Sequence, residues 1–427
     1  MTSKDMNSMQ KRALAAKRDT TQIAQDFDLL TLPEDFYDDP FVYYNALRAH
    51  SPIKQMSDGS YFLTRYADLI TIYKNTTLFC SDKTIQFKPK FGDTPLYEHH
   101  TSSLVFNDPP LHTRVRSILN GALVPRAIKA MEPSLIALVD ELIDNMRHCT
   151  QVDLIEDFAS AIPIEVIGNL LDIPRNERAP LRNWSLAILG ALEPVVSEQA
   201  ANWGNQSVKD FLTYLADLTQ RRRSQPGNPE QDVLTRLIQG EASGAKLSEK
   251  ELLHNCIFLL NAGHETTTNL IGSALVTLHD NPEQRQRLIE RPELIKPAVE
   301  EVLRLESPNQ LGNRMATETV NISGNSIPAG ANIHLCIGAA NRDPSIFPDA
   351  EHFNISRSPN RHLAFASGAH NCIGNTLARL EASIAISGFI GQFPNYRLVD
   401  RPVRGGRARF RGFLSIPCLL EGDSSGQ

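Results

Sequence analysis

The sequence predicts a mainly α-helical chain with small β-sheets, folded as a single large domain. Three observations carry the prediction. Apolar residues recur at the 3.6-residue helical period in most segments that show any period. Strand signals are few and short. Between residues 26 and 427 no Pro/Gly/Ser tract or charge run reads as a linker, although 427 residues would hold two or three average domains.

The chain opens on "MTSKDMNSMQKRALAAKRDT", which is polar and carries no apolar core of the kind a signal peptide needs, so residues 1–25 are expected to form a disordered tail. "DDPFVYYNALRAHS" (38–51) places a turn signal before apolar residues at helical spacing. "GSYFLTRY" (59–66) alternates as a strand does, and "RYADLITIYKNTTLF" (65–79) returns to the helical period. Further helices are expected over 128–146, 232–241, 258–278 and 296–307, with "RRRSQPGNPEQD" (221–232) as a polar surface loop. Residues 318–337 read as strand, Gly-containing turn and strand, and "RARFRGFLSIPCLL" (407–420) alternates again.

The formal charge of −6 gives no general attraction to nucleic acid or anionic membrane. No apolar run approaches eighteen residues, so no membrane anchor is expected. The six cysteines contain no C-x-x-C pair, which argues against a zinc knuckle or a dithiol redox site and fits a reduced, cytoplasmic setting.

Three stretches have residues that ordinary packing does not call for. In "FLLNAGHETTTNLIGSALVTL" (258–278), Ala262, Gly263, His264, Glu265, Thr266 and Thr267 interrupt an apolar helix. Gly263 costs roughly 1 kcal/mol against alanine in a helix interior. The segment reads equally as a helix crossing, where small residues admit a neighbour, or as a proton-delivery device pairing an acid with an alcohol. It is no zinc-protease motif, because Thr268 stands where the second histidine belongs. Glu301 and Arg304 share one helix face, and if buried they need a further partner, for which Arg357 is the candidate. In "LAFASGAHNCIGNTLARLE" (363–381), Cys372 sits between Gly368 and Gly374 at the start of a helix, where backbone N–H groups should lower the thiol pKa. His362, His370 and Cys372 are too few for a zinc site, whereas a single thiolate can hold haem iron.

The run F-x-x-G-x-H-x-C-x-G at Phe365, Gly368, His370, Cys372 and Gly374 resembles the haem-thiolate signature of the cytochrome P450 family. "AGHETT" (262–267) resembles that family's oxygen-activation segment, and Glu301 to Arg304 its E-x-x-R. "DPPLHTRVR" (108–116) and "GAANRDPSIFPDAEHFNISR" (338–357) resemble soluble bacterial members. A departure is Ala366-Ser367, where many bacterial members read Gly-His or Gly-Ala.

The resemblance implies a P450 haem domain over residues 26–427, with haem b held by Cys372. The electron-rich thiolate favours O–O cleavage and oxidation of C–H bonds. Phe365, Gly368 and Gly374 would lie against the macrocycle, and His112, Arg116, Arg314 and His362 would bind its propionates. Thr266 and Glu265 would relay protons to dioxygen, while Glu301, Arg304 and Arg357 would support the cysteine loop. Ile85, Phe87, Phe258, Asn261, Ala262, Gln310, Leu311 and Phe410 would line the substrate pocket, with Asn261 and Gln310 as polar anchors; Lys88 and Lys90 read as solvated. The implied reaction is monooxygenation of a small-to-medium, largely apolar substrate by a monomer. A separate ferredoxin or flavodoxin would supply electrons, docking on Arg114, Arg116, Arg361 and Arg379. A peroxide-driven peroxygenase and a non-oxidative haem-thiolate enzyme are the rivals, and nucleic-acid binding through "RPVRGGRARFRG" (401–412) has only one short cluster behind it.

Overall fold

A computed structural model of the chain describes residues 19–229, 232–240 and 246–420. Most of the expected tail, residues 1–18, lies outside them, but Thr20–Asp26 is a helix, which corrects that expectation. The Asp19 side chain caps its start by accepting from the Thr21 N–H at 2.8 Å. Ile23 and Ala24 are buried, and Lys54 Nζ donates to the Ala24 carbonyl at 2.6 Å.

The other anticipated helices form as Phe41–His50, Tyr66–Lys74, Glu132–Met146, Val233–Gln239 and Ile295–Glu306. The helix expected to reach residue 79 stops at Lys74, because Asn75 turns the chain and its Oδ1 accepts from Leu78 N–H at 2.9 Å. Phe79–Cys80 then becomes an edge strand beside the end of strand Leu311–Ala316. That strand pairs antiparallel with Asn332–Cys336, which in turn runs parallel to Tyr61–Leu63 in a five-stranded sheet. Within the expected 318–337 hairpin, Val320–Ile322 and Asn325–Ile327 pair with each other, and Asn332–Cys336 leaves for the larger sheet.

The centre of the fold is the 32-residue helix Glu249–Asp280, here the long helix. A reciprocal capping box starts it: Ser248 Oγ accepts from Glu251 N–H at 3.3 Å, and Glu251 Oε2 accepts from Ser248 N–H at 2.8 Å. Helices Ala161–Leu170, Leu181–Gly190, Glu198–Ser224, Ile295–Glu306 and Asn375–Gln392 pack around it. Gly263 serves this packing, since a Cβ there would stand 2.6 Å from Ile167 Cδ1. The helix-crossing reading of the segment therefore holds on one of its faces. Among the described residues, no helix is long and apolar enough to cross a membrane.

Candidate active site

The loop carrying Cys372 is fixed from beneath by a buried ionic cluster. Glu301 and Arg304 have side chains 0 % exposed, and Arg357 joins them as the sequence anticipated. Glu301 accepts from Arg304 Nε and Nη2 at 2.9 Å each, and from Arg357 Nε at 3.0 Å. It also takes the Asn354 N–H at 3.0 Å and Asn360 Nδ2 at 3.1 Å. The remaining Arg304 donors reach the carbonyls of Asn341, Ala350 and His352 at 2.9, 2.7 and 3.2 Å. A buried pair is tolerable only when the other hydrogen bonds are supplied, and here they are.

Gly368 adopts φ +71°, and a Cβ on it would stand 2.2 Å from the Tyr73 carbonyl oxygen. Ala366 holds φ +55°, a left-handed conformation that costs an alanine about 1–2 kcal/mol. Gly374 is different: a Cβ there would meet nothing within 4 Å, so its smallness leaves open space above the loop. The Cys372 N–H donates to the Phe365 carbonyl at 2.9 Å, and Asn375 Nδ2 donates to the Cys372 carbonyl at 2.6 Å. The expectation of a lowered thiol pKa is corrected. Burial pushes the thiol up and outweighs the Gly374 N–H and the charges of Arg116 and Arg379. A cation bound at the sulfur would favour the thiolate.

Beside the loop, His112, Arg116, Arg314 and His370 come together. The His112 and His370 rings lie 4.0 Å apart, and burial followed by the charges of Arg314, His112 and Arg116 pushes His370 down to about 2. His112 Nε2 is buried without a partner. Arg314 is 6 % exposed and makes no ion pair among the described residues. Asp108, the neighbouring carboxylate, accepts from the N–H groups of Ser81 and Asp82 at 2.9 Å. His370 Nε2 bonds Ser81 Oγ at 3.0 Å and Arg116 Nη2 donates to the Asn371 carbonyl at 2.6 Å, but no carboxylate pairs with Arg116 or Arg314 among the described residues, and this set of groups fits the propionates of haem. His362 does not belong with them, which corrects the expectation: its Nδ1 accepts from Ala364 N–H at 3.2 Å and its Nε2 bonds Glu300 at 3.0 Å. Arg379 clamps the same Glu300 at 2.6 and 2.9 Å and lies 4.5 Å over the Phe365 ring. Burial opposes it, yet His362 and Arg379 hold Glu300 down to about 2. It is His370, in the H-x-C spacing of the motif, and not His362, that stands beside His112, Arg116 and Arg314.

On the long helix, Phe258, Ala262 and Thr266 form one stripe at i, i+4, i+8, and it stays partly open on a helix that is otherwise largely buried. Thr266 Oγ1 donates to the Ala262 carbonyl at 2.7 Å. Glu265, 6 % exposed, faces away from that stripe and pairs with Arg407 at 2.5 Å, leaving Oε2 without a partner. Burial raises its pKa to about 7 against the pull of Arg407. Arg407, which also donates to the Leu186 carbonyl at 3.0 Å, was not anticipated from the sequence.

The expected pocket residues divide. Phe87 packs 5.1 Å from Phe106 and 5.3 Å from Phe91, while Ile85 is 73 % exposed. Asn261, one turn before Glu265, is buried with both amide atoms unpartnered. Phe410 is buried and bridges Asn309. Two expectations are corrected. The Gln310 amide closes a helix end, Nε2 donating to the carbonyls of Glu306 and Ser307 at 2.7 Å each, while Oε1 is buried without a partner and turned toward Gly338, so the side chain is held in the protein interior. Leu311 is fully buried in a cluster with Tyr44, Leu47 and Phe62 and opens on no cavity wall. Lys88 is solvated as expected, pairing with the exposed Asp93 at the surface.

A cytochrome P450 family model matches residues 192–395. A biotin biosynthesis cytochrome P450 of Bacillus subtilis (strain 168) is 36% identical over 399 residues, covering 92% of this chain and 98% of the relative. A vitamin D(3) 25-hydroxylase of Pseudonocardia autotrophica is 34% identical, covering 94% and 98%. Among solved structures, P450BioI in complex with hexadec-9Z-enoic acid ligated acyl carrier protein is similar at TM-score 0.86 and 34% identity, covering 91% of this chain and 99% of that one. The polyketide synthase cytochrome P450 PksS of Bacillus subtilis 168 is similar at TM-score 0.83 and 32% identity, covering 92% and 100%. Matched at this identity along nearly their whole length, this chain and those enzymes share one descent: it belongs to the cytochrome P450 family of haem-thiolate monooxygenases.

Proposed function

We propose that this enzyme inserts one oxygen atom from O2 into a C–H bond of a small-to-medium, largely apolar substrate, with electrons from a separate ferredoxin or flavodoxin. The observation that carries the reading is Cys372 presented from a clamped loop beside His112, Arg116, Arg314 and His370, where His112 Nε2 has no partner and neither arginine makes an ion pair among the described residues. Haem bound there supplies the oxygen-activating chemistry.

The chain's own residues do the rest. Cys372 would hold the haem iron through its sulfur, and the open space at Gly374 would admit the macrocycle. Thr266 presents a hydroxyl from the open stripe of the long helix, held in place by the Ala262 carbonyl. Glu265 holds a proton near neutrality, and Arg407 sets how tightly. On the docking face, Arg114 and Arg379 are tied to Glu251 and Glu300, which leaves Arg361 exposed for an acidic donor.

Thr266→Ala is expected to lower product formed per O2 consumed by roughly tenfold or more, with peroxide appearing instead. The red-shifted band of the ferrous carbon monoxide complex should be unchanged. Unaltered coupling would favour the non-oxidative or peroxide-driven alternatives.

Glu265 is used as an acid, so turnover should fall as pH rises past about 7, the value to which burial brings it. Arg407→Gln removes a charge that favours the carboxylate. The alkaline limb of the coupling profile should then move up by about one pH unit. A limb that stays in place assigns the titration to another group.

A further inference from the structure

The turn at residues 407–409 is bound, residue by residue, to helix Leu181–Gly190 and the chain just after it. Arg407 Nη2 donates to the Leu186 carbonyl at 3.0 Å. The Ala408 and Arg409 N–H groups both donate to Glu193 Oε2, at 2.8 and 3.1 Å. Arg409 Nε donates to the Leu192 carbonyl at 3.1 Å. Gly190 serves the same arrangement, since a Cβ on it would stand 3.3 Å from Arg407 Nη2.

The reaction uses one bond of this turn, Arg407 to Glu265, and leaves Glu193 without a task. Glu193 is half-buried and makes no ion pair among the described residues. Two successive N–H groups make a fitting seat for a carboxylate, and charge-assisted bonds to both fix the peptide planes at 408 and 409. Those planes set the direction in which the Arg407 side chain leaves the backbone. Ala408 is 3 % exposed, so without Glu193 its N–H would be left buried and unpaired. Glu193 is itself anchored, its carbonyl accepting from Lys90 Nζ at 2.6 Å. The far side of the turn is held by the Arg409 carbonyl, which accepts from Gln310 N–H at 2.8 Å, and by Arg409 Nη1 on the Leu311 carbonyl at 2.7 Å.

Two charges act on Glu265 in opposite senses. Burial raises its carboxyl, Arg407 lowers it by charge and by hydrogen bond, and Glu193 raises it by charge. His264, its neighbour on the long helix, is held down to about 3 by burial and stays neutral. Arg182, on helix Leu181–Gly190, is paired with Glu156 at 2.5 Å. Asn261 and Asn269, one turn to either side of Glu265, carry no charge. If Glu193 acted by charge alone, its removal would lower the Glu265 carboxyl. If it acts by seating Arg407, its removal raises the carboxyl, because the stronger opposing influence is released.

We propose that Glu193 is a positioning residue for the reaction: it seats the 407–409 turn and through it holds Arg407 on Glu265. The proton supply then depends on the chain at 191–193. This rests on the acid role of Glu265 in the monooxygenase reading above.

The test is an infrared difference titration of the haem-loaded enzyme that follows the protonated-carboxyl stretch of Glu265, with Glu265→Gln identifying the band. The wild-type midpoint is expected at about 7. Glu193→Ala should raise it by about half a pH unit or more, roughly threefold in proton affinity. Glu193→Gln keeps an oxygen for the two N–H groups and loses the charge, so it should leave the midpoint in place or lower it. In an Arg407→Gln background, Glu193→Ala should give no further rise. A merely structural Glu193 would lower the melting temperature on replacement and leave the midpoint where it was. The proposal is overturned if Glu193→Ala leaves the midpoint in place or lowers it. It is also overturned if Glu193→Gln raises the midpoint as far as Glu193→Ala does, or if the rise persists without Arg407. Absence of a titrating Glu265 band in the wild type would remove the acid role and the proposal with it. The carbon monoxide band of the same preparation reports on the monooxygenase reading separately.

Discussion

Cys372→Ser is expected to abolish the red-shifted carbon monoxide band and to reduce monooxygenation below detection. Thiolate ligation by Cys372 would be the source of the band, and a serine oxygen would donate far less electron density to iron. The loop itself should survive the exchange. Its bonds at this position, Cys372 N–H to Phe365 and Asn375 to the Cys372 carbonyl, are made by the backbone and do not need sulfur. Loss of the band with retained helicity therefore separates ligation from folding. Another cysteine is a poor substitute. Cys256, Cys336 and Cys418 are buried, with thiols pushed by burial to about 12. A Cys372→Ser protein that kept the red-shifted band would place the ligand elsewhere and end the assignment.

What the sequence made legible follows distance along the chain. The cysteine loop packs its ligand, glycines and following helix into some twenty residues, so spacing alone exposed it. Glu301 and Arg304 are three apart, and their burial was a guess that Arg357 made credible. Gly368 was seen as permissive backbone, yet the reason for it, the Tyr73 carbonyl 2.2 Å from any Cβ, is set by a segment almost three hundred residues away. Arg407 joins Glu265 across 142 positions, a pairing no local pattern announces. Gln310 and Leu311 failed for the related reason that being near a motif does not fix which way a side chain turns. Strand register turned Leu311 toward Tyr44 and Phe62, and Gln310 found helix-end carbonyls. The small-residue segment of the long helix had two readings because it has two faces: Gly263 admits Ile167, and Ala262 with Thr266 stays open.

Arg304→Lys is expected to destabilise the protein by about 3–5 kcal/mol and to lower the fraction purified with haem. Arg304 donates five hydrogen bonds, two to Glu301 and one each to the carbonyls of Asn341, Ala350 and His352. An ammonium has three donors and no planar fork, so at least two buried acceptors lose their partner while the formal charge is unchanged. Glu301→Gln strikes from the other side, because it leaves Arg304 and Arg357 facing a neutral amide. The two variants should melt well below wild type and release haem faster, since the carbonyls in question belong to the segments that lead into the cysteine loop. A surface pair of the same residue types would cost under about 1 kcal/mol. A melting temperature for Arg304→Lys within about one degree of wild type, an interval of about 1 kcal/mol in a chain this large, would mean that water replaces the lost donors and that the cluster does not clamp the loop.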